Sequence, residues 1–357
     1  MKLSVTQTRN LRNALLIMGF GITVAMIYPV FADSWSNKVA FINAFSIGLI
    51  GSIIVVILEL EVFDPHKKRR SFLFTFFVKT TLYFLFFALL VPLIMAFNES
   101  IYYNKGFIEH FKSDQFQHFI FHEDYKIILF YSFVFICIIN FTRQMNRKLG
   151  QGVLLNYITG KYHSPKEVER IFMFLDIRSS TSIAEQLGEL DFHYLIRDFF
   201  QDITSSILLS KGHIYRYVGD QVVVSWKMTD GLQHAHCIKA YFYIKEKIKS
   251  LREKYLLRFG LVPKFSASLH SGKVIIGEIG ELKSQIVYHG EMLYQLAAIE
   301  KFHGKLELDE NILISDPLIR QLSISSLYKL KEVGALPLDD GSSMSLYSLS
   351  IGSDIEI

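Results

Sequence analysis

The hydrophobic positions of this chain follow two regimes that change over near Thr142. Before it, apolar residues come in nearly unbroken runs. Ala14 to Ala32 and Val39 to Leu58 hold no charged side chain, Phe72 to Phe97 holds only Lys79, and Ile127 to Thr142 holds none. Each run is near the ~20 apolar residues a helix needs to cross a bilayer, the fourth being somewhat short. The pattern predicts four membrane helices over residues 1–142. Lys79 lies near one end of its run, where a lysine can snorkel to the interface.

After Thr142 the runs shorten and alternate. Arg170 to Asp176 reads as a strand, and Ser179 to about Gly188 as a helix. Phe192, Leu195, Ile196, Phe199, Ile203 and Ile207 recur at the spacing of an amphipathic helix. His213 to Trp226 reads as a hairpin turning near Gly219-Asp220, and a helix follows from about Leu232 to Tyr255. Phe265 to Leu269 and Lys273 to Ile279 read as a second hairpin, Met292 to Phe302 as a helix. Ser326 to Val333 and Ser345 to Leu349 read as closing strands. Strands and helices in this order predict an α+β domain over residues 166–352, joined to the membrane part by a linker over 143–165. In that linker Met145, Leu149, Val153 and Leu154 approximate helical spacing, interrupted by Gly150 and Gly152.

Charge orients the chain. Lys2, Arg9 and Arg12 precede the first run, Lys67, Lys68, Arg69 and Arg70 lie between the second and third, and Arg143, Arg147 and Lys148 follow the fourth. The positive-inside rule therefore expects a multi-pass protein of the cell's inner (plasma) membrane, with the N-terminus and everything after Thr142 cytoplasmic. A cleaved leader ending at Val30-Phe31-Ala32 is the competing reading of the first run. The formal net charge of +4 is accounted for by these flanks and indicates no nucleic-acid partner. The spans carry almost no ionisable residue at mid-depth, which argues against an ion pathway. Cys137 lies in a span and Cys237 in the soluble part, so no disulfide is expected. In the polar insert 98–126, expected to face outward, His110, Asp114, His118 and His122 recur every four residues and would share a face if helical. The expected role is a solvated surface; zinc binding or pH sensing is the alternative. His234, His236 and Cys237 likewise read as part of a surface helix before a metal site.

Two aspartates carry the strongest chemical signal. Asp176 closes the apolar run Ile171-Phe172-Met173-Phe174-Leu175, and Asp220 ends Arg216-Tyr217-Val218-Gly219-Asp220. Carboxylates delivered at neighbouring strand ends can hold hard cations shared with a triphosphate. Ser179, Ser180 and Thr181 read as the start of a helix whose free N–H groups can meet the same phosphates.

These segments resemble the class III nucleotidyl cyclases. Phe172-Met173-Phe174-Leu175-Asp176-Ile177-Arg178-Ser179-Ser180-Thr181 resembles the family's first metal motif and Arg216-Tyr217-Val218-Gly219-Asp220 its second. His270-Ser271-Gly272-Lys273-Val274, with Gly277 and Gly280, resembles its glycine-punctuated hairpin. The resemblance runs from about Tyr162 to Tyr347 and implies a ferredoxin-like fold. It also implies two Mg (or Mn) ions on Asp176 and Asp220, with the Ile177 backbone assisting, and a site shared between two protomers. The substrate implied is a nucleoside triphosphate. ATP is favoured: Arg216 stands where adenine-choosing members often carry Lys, although Val287 stands where many carry Asp.

One half of the implied site departs from the family. Tyr294 stands where the resemblance puts an Asn, Ala298 where it puts an Arg, and Gly334 to Gly341 contains no lysine where one is usual. Loss of one preorganised donor typically costs on the order of a hundred- to a thousand-fold in rate. A homodimer would then be nearly inert. Three readings are open: a heterodimer with a complementary cyclase, a nucleotide-sensing pseudoenzyme, or substitution by neighbours such as Arg216.

Overall fold

The structure, a computed structural model, describes residues 5–32, 37–61, 71–121, 124–150, 153–306, 311–323, 328–338 and 341–351. Lys2, Lys67 to Arg70, His122 and Gly152 lie outside them, so what was expected of these positions rests on the sequence alone. The chain divides into two compact units, Met1–Leu154 and Leu155–Ile357.

The first unit is helical: α1 (Val5–Phe31), α2 (Lys38–Glu61), α3 (Phe72–Tyr102), the short α4 (Phe107–Phe111) and α5 (Asp114–Phe121), and α6 (Asp124–Leu149). Helices α1, α2, α3 and α6 are long and apolar enough to cross a membrane. Small residues let α1 and α2 approach closely: a Cβ on Gly48 would sit 2.8 Å from Ile22 Cα. Polar groups tie α2 to α3 near both ends. At one, Lys79 Nζ lies 2.7 Å from Glu59 Oε1, Tyr83 donates to the same oxygen at 2.9 Å, and Arg143 Nη2 of α6 lies 3.5 Å from Glu59 Oε2. Lys79 is only 2 % exposed, so the expected snorkelling is replaced by a buried ion pair. A cation that finds a carboxylate on the neighbouring helix need not reach the interface. At the other end, Asn43 Nδ2 donates to Glu99 Oε1 at 3.1 Å and His110 Nε2 lies 3.0 Å from Glu99 Oε2.

The histidine series does not share one face. The chain breaks between α4 and α5 at Lys112-Ser113, which buries His110 against Glu99 and leaves His118 exposed. The one-turn helix α7 (Val153–Ile158) carries the division between the units.

The second unit comprises β1 (Lys166–Ile177), α8 (Ser180–Leu187), α9 (Glu189–Leu209), β2 (His213–Val218), β3 (Gln221–Lys227), α10 (Met228–Leu232), α11 (His236–Ser250), α12 (Arg252–Phe259), β4 (Phe265–Ile279), β5 (Gln285–His289), α13 (Glu291–Lys305), β6 (Ile312–Ser315), α14 (Asp316–Ile319), β7 (Tyr328–Pro337) and β8 (Ser343–Ile351). The strands form one sheet in the order β2-β3-β1-β4-β6-β8-β7, with β5 paired to β4 and only β4–β6 parallel. The α+β expectation holds.

Strand alternation gives β1 two inner faces. Ile171, Met173, Leu175 and Ile177 pack with Val222, Val224 and Trp226 of β3 and with Leu195, Phe199, Ile203 and Ile207 of α9. Phe172 and Phe174 point to the opposite face, with Val223, Tyr288 and the α13 residues Met292 and Leu296. Asp176 continues this second set.

Two local expectations are corrected. The predicted hairpin at His270-Ser271-Gly272 is a single strand, because β4 pairs with β1 without interruption from Ile177↔Phe265 to Lys166↔Ile276. Cross-strand pairing over that length outweighs the turn propensity of Ser-Gly. The β4 chain instead reverses after Ile279 to pair with β5. The predicted Leu232–Tyr255 helix is divided, since His234 and Ala235 have positive φ and Leu251 separates α11 from α12.

Removing Lys79 leaves the Glu59 carboxylate with only the Tyr83 hydroxyl and the more distant Arg143, and breaking a buried pair in this way is costly. Lys79→Met is expected to destabilise the detergent-solubilised protein by about 3 kcal/mol. Lys79→Met/Glu59→Gln should recover much of that loss. Thermal unfolding of the two variants and the parent checks both.

Candidate functional site

The site is a product of register. Asp176, one residue from the end of β1, faces Gln221 across the β1–β3 ladder. Asp220 is the residue before Gln221. It closes a two-residue turn in which Val218 pairs with Gln221 and Gly219 takes a φ of 60°. An L side chain rarely adopts that φ, and glycine does so without steric cost. The strand pairing therefore delivers two carboxylates side by side, on the face covered by α13.

The two carboxyl groups lie close enough for the charge of Asp220 to act on Asp176. Burial, then the neighbouring charges of Asp220 and Glu300, push Asp176 up to about 7. The Ile177 N–H, donating to the Asp176 carboxylate, acts in the opposite direction. Asp220 Oδ2 is buried with no hydrogen-bond partner. A buried, unsatisfied carboxylate oxygen is costly, and a divalent cation with oxygen preference would satisfy it. The donor set thus fits hard cations. No group of three or more His, Cys, Asp or Glu among the described residues forms a ready cage, so further ligands would have to come from substrate or water.

A third carboxylate joins this pair. Glu300 of α13 accepts a hydrogen bond from Gln221 Nε2. Burial first, and the Asp220 charge after it, raise its pKa despite that bond. Sequence reasoning did not single Glu300 out. The signal was present, because Met292, Leu296 and Glu300 are spaced by four along the sheet-facing stripe of a predicted helix, and an acid in such a stripe needs a reason.

The other expected residues are placed as follows. Ser179 stands at the start of α8 with φ 54° and makes no side-chain cap bond. Ser179 and Thr181 are exposed. The Ile183 N–H donates to Ser179 O at 3.0 Å, and the N–H groups of Ser180, Thr181 and Ser182 are those a helix start leaves without an intrahelical acceptor. Arg216 lies on β2 beside a bulge, exposed, its guanidinium 5.0 Å from the Tyr215 ring centre. It is not brought onto the carboxylates. Tyr294 projects from α13 with 77 % of its surface exposed, and Ala298 follows one turn later. Both cysteines are free, and burial pushes the Cys237 thiol up to about 12.

No protein-family model matches the chain. It is 31% identical over 214 residues to adenylate cyclase 2 of Rhizobium meliloti (strain 1021), covering 60% of this chain and 58% of that protein. The match therefore spans less than two thirds of the relative's length. In fold it is similar to two structures of a bacterial light-regulated adenylyl cyclase, each with a TM-score of 0.52 and 19% identity. These alignments cover 62% and 64% of this chain and 65% and 66% of those chains. Fold and sequence likeness agree: the unit from Leu155 onward has the fold of these adenylyl cyclases and is similar in sequence to adenylate cyclase 2.

Proposed function

We propose that this chain is a membrane-anchored cyclase subunit that converts a nucleoside triphosphate, ATP by preference, into a 3′,5′-cyclic nucleotide and pyrophosphate in intracellular signalling. Four apolar helices anchor it, and the basic flanks put the N-terminus and the cyclase domain on the cytoplasmic side of the cell's inner membrane. The observation that carries the reading is the convergence of Asp176 and Asp220 around a buried carboxylate oxygen that lacks a partner.

In the reaction the ribose 3′-oxygen attacks the α-phosphorus and pyrophosphate departs. Two Mg (or Mn) ions, when bound, would supply charge stabilisation for the attacking and leaving oxygens. Asp176 and Asp220 would hold them, which requires Asp176 to give up its proton, and the Ile177 N–H favours the ionised form. The start of α8 offers N–H donors to the phosphates. The two α13 positions that the resemblance gives to an Asn and an Arg carry Tyr294 and Ala298, so a second chain is needed for full rate. An unlike cyclase that carries the Asn, Arg and Lys is the partner this surface calls for. The second reading, a nucleotide-sensing domain without turnover, is favoured by the same Tyr294 and Ala298.

The purified full-length chain with Mn and ATP is expected to turn over weakly or not at all. Tyr294→Asn/Ala298→Arg should raise its rate by on the order of a hundred-fold or more, and Asp176→Asn should abolish the gain. Vigorous turnover by the unaltered chain alone would refute the need for a partner.

The raised Asp176 pKa also sets a stability profile. Between about 4 and about 7 the folded state binds more protons than the unfolded one. Stability of the cation-free protein therefore falls as pH rises through that window. Asp176→Asn should flatten the profile, and millimolar Mn should reverse its slope near neutrality. Thermal unfolding from pH 4.5 to 8 with and without Mn measures both.

A further inference from the structure

Glu300 is the one acidic residue that α13 turns toward the sheet near the aspartate pair. It lies four residues after Leu296, which is wholly buried in the second core, and one residue after the equally buried Ile299. Its carboxylate accepts from Gln221 Nε2. Gln221 is the residue opposite Asp176 in the β1–β3 register and the neighbour of Asp220 in sequence. The charge of Glu300 acts on Asp176, and that of Asp220 acts on Glu300. The hairpin tip that carries Asp220 is therefore held from two sides: by the ladder to β1 and by a helix distant in sequence.

We propose that Glu300 is a positioning residue for the cation pocket, tying α13 to the β2–β3 hairpin tip through Gln221 and adding a third negative charge beside the two ligands. It does not complete a three-carboxylate cage, since none exists among the described residues. Its action is that of an outer carboxylate: it orients the group next to a ligand and deepens the local potential for a divalent ion. Three carboxyl groups crowded into a half-buried pocket repel one another until a cation arrives. Glu300 thereby strengthens cation binding at the expense of the empty state. Because α13 also carries Tyr294 on its outer face, the placement of that surface and the loading of the pocket become linked. The inference rests on reading Asp176 and Asp220 as cation ligands.

The test is Mn titration of the full-length protein in detergent, following free Mn by electron paramagnetic resonance, together with thermal unfolding without metal. Asp220→Asn should eliminate the tight Mn site. Glu300→Gln should weaken it by about tenfold or more, the range typical of outer-shell partners, while raising the cation-free melting temperature. That opposite pair of shifts is one a damaged fold would not produce. If Asp220→Asn removes the site but Glu300→Gln leaves affinity unchanged, the role given to Glu300 is wrong and the ligand assignment stands. Weaker binding with a lower cation-free melting temperature would make Glu300 a packing residue and overturn the proposal. Should Asp220→Asn leave Mn binding intact, the cation reading fails and this inference with it.

Discussion

The soluble unit is organised around an electrostatic conflict that the β1–β3 ladder imposes. Pairing Asp176 with Gln221 leaves no choice about where Asp220 goes, because a two-residue turn ends one position earlier. Two carboxyl groups then share a half-buried space, and Glu300 reaches the same space from α13. Like charges gathered in a half-buried space repel one another more strongly than they would in water. Burial and the neighbouring charges hold Asp176 toward its protonated form. The cations of the proposed function would relieve that repulsion and give the unpartnered Asp220 oxygen a ligand.

What keeps the conflict in place is the packing on both faces of β1. On one face Ile171, Met173 and Leu175 are locked against α9 and β3; on the other, Phe172 meets the rings of Tyr215 and Tyr288 edge-on at 6.2 and 5.2 Å. A one-residue slip of β1 would exchange these sets and turn Asp176 into the α9 core. Such a slip would bury an unpaired carboxylate against α9 and mismatch the packing on both faces. Register, and with it carboxylate convergence, is thus specified by hydrophobic contacts away from the site. The binding of a charged ligand is positioned by residues that never touch it.

Much of this was legible in the sequence, for reasons that differ by element. The β1 alternation, the α9 stripe and the Gly219-Asp220 turn are local patterns, and each formed where its period placed it. The β4 strand was misread because Ser271-Gly272 has turn chemistry, while the twelve-residue partner that straightens it lies a hundred positions away. Lys79 was misread for the same kind of reason. Its fate is decided by Glu59 on another helix, and no window along the chain contains both. The histidine series failed through a single break at Lys112-Ser113, which periodic spacing cannot foresee. Glu300 was the most recoverable omission: a carboxylate at the apolar position of a helix is a conflict visible in sequence, and conflicts of that kind tend to mark functional sites.

The two surfaces of α13 complete the physical picture. Its inner stripe, Met292, Leu296 and Ile299, is fixed in the core, and that fixes the outward direction of Tyr294. A large aromatic ring left 77 % exposed on a rigid helix is poorly explained by the needs of the isolated unit, whereas aromatic side chains are enriched at protein–protein contacts. Ile275 and Ile279 of β4 are also about half exposed, and an apolar surface of that sort is ordinarily covered by a partner. Leu296 and Ile299 fix α13 against the sheet while Glu300 meets Gln221 beside the aspartate pair, so the helix that exposes Tyr294 also borders the carboxylates.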